Sequence, residues 1–65
     1  MADPKKPSRR LTLRDAVEVW LRRWQGHFQH HIAADFGVNQ GRISEVLTGK
    51  RFPEARELAL KMHGT

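Results

Sequence analysis

A single glycine, Gly37, limits what this chain can build more than any other residue. It separates two short segments with apolar residues at helical spacing: Phe28, Ile32, Ala33 and Phe36 before it, Ile43, Val46 and Leu47 after it. Steps of three and four place such residues on one face of a helix. A glycine at the join admits a positive φ, so the chain can leave one helix and enter another within a few residues. Ala33, one turn earlier, supplies the small side chain that two steeply crossed helices need where they meet. Val38 fills the angle between them. Asn39 stands where it can cap the second helix, and Gly49 where it can close it. The spacing therefore predicts a helix over about 28–36, a tight turn, and a helix over about 39–48.

The flanks predict two more helices. Thr12 is an expected N-cap, with Asp15 three residues later facing the open amides. Leu13, Ala16, Val17, Trp20, Leu21 and Trp24 then form one apolar stripe, and Gly26 ends the helix. The two tryptophans lie on that stripe, which assigns them to the core and not to stacking on bases. Glu18 and Arg22 are four apart, a favourable pair on the exposed side. A fourth helix should begin near Pro53, with Phe52, Ala55, Leu58, Ala59 and Met62 as its buried stripe. No segment alternates in the manner of a strand. The expected fold is all-α: a compact four-helix domain over residues 11–65, preceded by a disordered basic arm, residues 1–10.

With 65 residues and no cysteine, the chain has neither a disulfide nor a thiolate for zinc to hold it together. A chain this short buries only about 60% of the surface its unfolded form exposes. The apolar residues, 38% of the chain, suffice for a small core. They do not suffice for a core and a deep substrate pocket of about 300 Å³ as well. No small-ligand pocket is expected, and nucleophilic catalysis has no support: Ser8 and Ser44 lie in the arm and on a polar helix face. The chain is read as a binding protein and not as an enzyme, with no cofactor. His27, His30, His31 and His63 include helical spacings that metals use, yet no cysteine accompanies them, and they are read as ordinary surface histidines.

Charge narrows the partner. Of a net +5, a surplus of four lies in residues 1–14, where Lys5, Lys6, Arg9, Arg10 and Arg14 face only Asp3. A basic arm ahead of a nearly balanced fold suits a polyanion, although it also serves as a solubilising tail. No run approaches the roughly 20 apolar residues of a membrane span, and the N-terminus has no apolar signal region. A cytoplasmic, nucleoid-associated location without membrane contact is expected.

The outward face of the predicted 39–48 helix is polar: Gln40, Gly41, Arg42, Ser44, Glu45 and Thr48. Hydrogen-bonding groups near the start of such a helix are what a major-groove reader needs. Taken together, Gln29, Ala33, Gly37, Val38, Gln40, Ile43 and Gly49 have the spacing of a known motif. The segment 29–49 resembles the helix-turn-helix of the phage repressor and Cro family. The motif covers about a third of the chain, and with its flanking helices most of it.

The resemblance implies roles residue by residue. Gln29 would bind a phosphate and support Gln40. Gln40 would reach a base edge, with adenine as its bidentate partner. Arg42 would meet guanine or a phosphate, with Ser44 and Glu45 as weaker base contacts. Gly41 stands where many relatives carry a polar base-contacting side chain, which means less readout there or closer approach. His30 and Asn39 lie near the phosphates. Thr48, Lys50 and Arg51 resemble a phosphate-clamping loop, and Lys5, Lys6, Arg9 and Arg10 an arm along the duplex. Such contacts set register and salt-dependent affinity without specifying sequence.

The family further implies a homodimer that regulates transcription from a palindromic operator, repression being the simpler mode because it needs only occupancy. Relatives dimerise through a fifth helix, and this sequence stops soon after the fourth. Dimerisation is then expected to use the fourth and first helices around Leu58, Leu60 and Met62; otherwise the protein binds as a monomer or with other chains. Two further functions remain open at this stage. One is an architectural or recombination directionality factor working with a recombinase. The other is an adaptor gripping a polymerase or another regulator. RNA fits less well, because the A-form major groove is too narrow for a reading helix.

Overall fold

The first helix of the protein is closed at its start by two reciprocal hydrogen bonds. The computed structural model describes residues 10–63 as four α-helices with no strand among them. In α1, Leu13–Trp24, the Thr12 hydroxyl accepts from the Asp15 amide at 3.2 Å, and the Asp15 carboxylate accepts from the Thr12 amide at 3.1 Å. A cap of this kind contributes about 1 kcal/mol. The pair forms because residues three apart at a helix start bring side chain and amide together. Residues 1–9 and 64–65 lie outside the description, so the expected disorder of the arm concerns residues beyond it.

The middle of the chain is a helix-turn-helix. α2 is Gln29–Phe36 and α3 is Gln40–Leu47. Gly37 takes φ 69°, and the Val38 amide reaches back to the Ala33 carbonyl at 3.0 Å. This closes α2 in a left-handed turn. Asn39 then caps α3: its Oδ1 accepts from the Gly41 amide at 2.7 Å. α4 is Ala55–His63, entered through a turn at Pro53 and Glu54.

The core is made of small and branched side chains. Ala16, Val19, Ile32, Ile43, Val46, Ala55 and Ala59 are fully buried, with Leu11, Val17 and Ala33 nearly so. α1 is the common partner: it packs on α4 most extensively and also touches α3 and α2, while α2 and α3 pack on each other. The alanines let backbones approach, and Ile32, Val19, Ile43 and Val46 fill the remaining volume. Trp20 and Trp24 pack half-buried against this core, with ring centroids 5.6 Å apart, and Trp24 meets His63 of α4 at 5.4 Å.

A polar tie joins α1 to α2. Arg22 donates to Asp35 across the gap and to Glu18 at 3.4 Å one turn back along α1. Its guanidinium lies 5.7 Å from the centre of the Phe36 ring. The Asp35 carboxylate, helped by Glu18, raises the Arg22 pKa further. The group stays charged at every working pH.

Three expected core positions are not in the core. Phe28 is 59% exposed. It precedes α2 as an extended N-cap with ψ 152°, so its ring does not share the helix face of Ile32. It stacks instead on His30, centroids 5.8 Å apart and 4° from parallel. Leu58 and Met62 are 36% and 61% exposed. α4 has an extensive partner only in α1 and meets it through Ala55 and Ala59, which leaves the neighbouring large side chains outside. Conversely, Val19 lies off the predicted stripe and is fully buried.

The sequence predicts no pocket, and the surface nevertheless carries an open apolar groove of about 700 Å³ between α1 and α4. Leu13, Val17 and Leu21 line one wall, Leu58 and Met62 the other. It follows from the small contact residues of α4 and opens at the edge of the core, beside Val17. Among the described residues no helix is long and apolar enough to cross a membrane.

The turn makes a direct prediction. No atom lies within 4 Å of a Cβ built on Gly37, so any cost of a side chain there is backbone strain. Gly37→Ala should destabilise by about 1–2 kcal/mol in urea unfolding. Gly37→Asn, which tolerates left-handed φ, should cost clearly less. Equal costs for the two variants, or none for alanine, would mean that the turn is not held as described.

Candidate nucleic-acid interface

α3 has a buried side and an open side. Ile43 and Val46 are fully buried and Leu47 is half-buried, so they define the inward direction. At 100° per residue, Gly41, Glu45 and Thr48 fall at the centre of the opposite face. Ser44 lies on one flank of that line and Arg42 on the other, while Gln40, in the first turn, falls beyond Ser44 toward Leu47. Gln40, Gly41, Arg42 and Thr48 are exposed, and Ser44 and Glu45 are half-buried. Gly41, Arg42, Ser44 and Glu45 thus share one surface, with Gln40 exposed at its edge in the first turn of the helix.

Each end of that surface is held. At the start, Asn39 Oδ1 is committed to the Gly41 amide, and a Cβ on Gly41 would sit 3.1 Å from that oxygen. The glycine accommodates the tight cap, which gives a structural reason for its place among otherwise polar residues. At the end, the Thr48 hydroxyl donates to the Ser44 carbonyl at 3.0 Å and to the Glu45 carbonyl at 3.3 Å. With its proton used inside the helix, Thr48 offers a phosphate no donor in this arrangement.

The loop after α3 folds back onto the helix. The Lys50 and Arg51 amides both donate to the Glu45 carbonyl, at 3.0 and 3.2 Å. Arg51 Nε donates to the Glu45 carboxylate at 3.1 Å, and Arg42 approaches the same oxygen at 3.5 Å. Of the expected basic contacts Arg42, Lys50 and Arg51, the two arginines are therefore paired with Glu45. Lys50 is exposed. The loop ends at Phe52, which holds φ 53°, a left-handed conformation that is uncommon for a bulky residue. Its ring packs against the core and keeps it there.

The remaining expected contacts are more scattered. Gln29 is half-buried at the start of α2, and no hydrogen bond joins it to Gln40. His30 is exposed, with its ring against Phe28 and 4.3 Å from that of His31. Arg10 is exposed beside buried Leu11, which seats the start of the domain in the core. Lys5, Lys6 and Arg9 lie outside the described residues. Among the described residues no group of three or more His, Cys, Asp or Glu side chains is placed to hold a metal ion. The sequence reading misses the Arg22–Asp35 pair, which links α1 to α2 at the surface. A partner thirteen residues away carries no periodic signal.

Arg51, and after it Arg42, holds the Glu45 carboxyl below the ordinary glutamate value. The depressed pKa means that this contact stabilises the loop above the ordinary glutamate value and is lost as pH falls through the depressed one. Arg51→Gln should raise the Glu45 carboxyl pKa in an NMR titration. An unchanged Glu45 titration would mean that the pair does not persist in solution. Compared with protein-family models, with curated proteins and with solved structures, the chain matches none of them.

Proposed function

We propose that this protein binds double-stranded DNA sequence-specifically, with α3 in the major groove, as a small transcriptional regulator of the phage repressor and Cro type. The observation that carries the reading is the outward face of α3: polar along its length, capped at Asn39, and continued by a basic loop fixed to its end. A helix with hydrogen-bonding side chains over an apolar underside is matched to the width and the donor–acceptor pattern of that groove.

In this reading Gln40 pairs with adenine and Arg42 with guanine or a phosphate. Lys50 and Arg51 meet the backbone, and Arg10 with Lys5, Lys6 and Arg9 adds sequence-independent attraction. The chain acts by binding and not by catalysis, in the compartment that holds the DNA. Occupancy of a promoter suffices for repression.

A palindromic operator calls for two copies related by a two-fold axis. The α1–α4 groove is the surface we assign to the second copy. Its apolar walls are flanked by Arg14 and Lys61 on the one hand and Glu18 on the other. Leu58→Glu and Met62→Glu should shift a dimer to monomer in sedimentation experiments while leaving helicity intact. A chain that sediments as a monomer before substitution would contradict this part of the reading.

Selection of bound duplexes from a random pool tests the reading itself. The expected winner is palindromic and binds about 10³-fold or more tighter than random DNA. Gln40→Ala and Arg42→Ala should each cost about 1–3 kcal/mol and relax one base position. Lys50→Ala should weaken all sequences alike. Absence of any enriched sequence, or full affinity in both α3 variants, would overturn the proposal.

A further inference from the structure

Glu45 is the one acidic residue on α3, and it stands at the centre of the outward face. An acid there opposes the approach of phosphates, so its presence on a DNA-reading surface calls for a reason. Its contacts supply one. The carboxylate accepts from Arg51 Nε at 3.1 Å and lies 3.5 Å from an Arg42 guanidinium nitrogen. The carbonyl of the same residue accepts the amides of Lys50 and Arg51. One residue thus gathers two of the cations of the interface and the backbone of the loop that carries a third.

We infer that Glu45 is a specificity-determining positioning residue, and not a base reader. The inference rests on the DNA-binding reading above. Glu45 acts through the arginines. It holds Arg42 over the α3 face and Arg51 at its end, and it neutralises them toward any phosphate that arrives without the right geometry. On random DNA the acid remains a repulsive charge beside the backbone. On the matching sequence Arg42 gains a bidentate partner in its held position, and that gain offsets the repulsion. Discrimination rises because the wrong complexes lose more than the right one.

Glu45→Gln tests this, since it keeps the shape and an acceptor while removing the charge. The full chain and the variant are compared on the duplex selected by the native protein and on random duplex, across a salt series. Affinity for random duplex should rise about three- to tenfold in the variant. Affinity for the selected duplex should rise less, so their ratio falls. The salt dependence on random duplex should steepen by about one ion. Arg42→Ala should reduce discrimination less in the Glu45→Gln background than in the native one, because an arginine no longer held has less to lose. Thermal melts of each variant separate these effects from loss of fold, which changes neither the salt slope nor the coupling in this pattern.

The inference is overturned if the ratio and salt slope stay unchanged, or if the variant loses preference at one base position while random affinity is constant. The latter outcome makes Glu45 a reader of cytosine. If the native chain selects no duplex at all, the DNA-binding reading itself fails, and that result is separate from either.

Discussion

The architecture depends on α1 packing against all three other helices. α4, α3 and α2 all pack on it, and α4 finds no extensive contact elsewhere. A twelve-residue helix in that position must be apolar on more than one face. Ala16 and Val19, both fully buried, meet the requirement with little volume. The Arg22–Asp35 tie and the ring of Phe36 beneath it then set α2 against α1. The crossing of α2 and α3 follows from the Gly37 turn. The α3 face is thus the last consequence of packing that begins elsewhere, which is why it can be polar throughout without loss of the fold.

Local chemistry made much of this legible in the sequence. Thr12, Gly37 and Asn39 each do what an isolated capping or turn residue does, because their bonds reach only two to four residues along the chain. The helices follow from periodicity to within one or two residues. What periodicity hides is the number of neighbours. Reading a narrow stripe on α1 misses Val19, because contact with three helices widens the buried face beyond it. The same logic places Leu58 and Met62 inside, when α4 has neighbours on one side only. Phe28 fails for a local reason: one residue before the helix, the backbone is extended and the side chain leaves the helical face.

The site shows a similar division. Which residues line the outward face of α3 is settled by the 3.6-residue repeat and was readable in advance. Their engagement with one another was not. Glu45, Arg42 and Arg51 have spacings of three and six, and only the fold-back of the loop onto the Glu45 carbonyl brings the last of them into reach. Thr48 likewise reads as a polar contact and has its hydroxyl proton spent on the helix end, whereas Asn39 spends only its Oδ1 there and keeps its side-chain amide donors. The free donor capacity of the surface is therefore concentrated in Asn39, Gln40, Ser44 and the basic side chains.

The central claim is that the outward face of α3 and the loop after it are the surface that meets DNA. Backbone amide shifts of the isotope-labelled chain, followed by NMR as duplex DNA is added at low salt, test it most directly. The largest changes are expected from Gln40 to Glu45 and at Lys50 and Arg51, with any changes at Leu58 and Met62 smaller and saturating with dimer formation. Changes confined to the α1–α4 groove, or none anywhere, would contradict it.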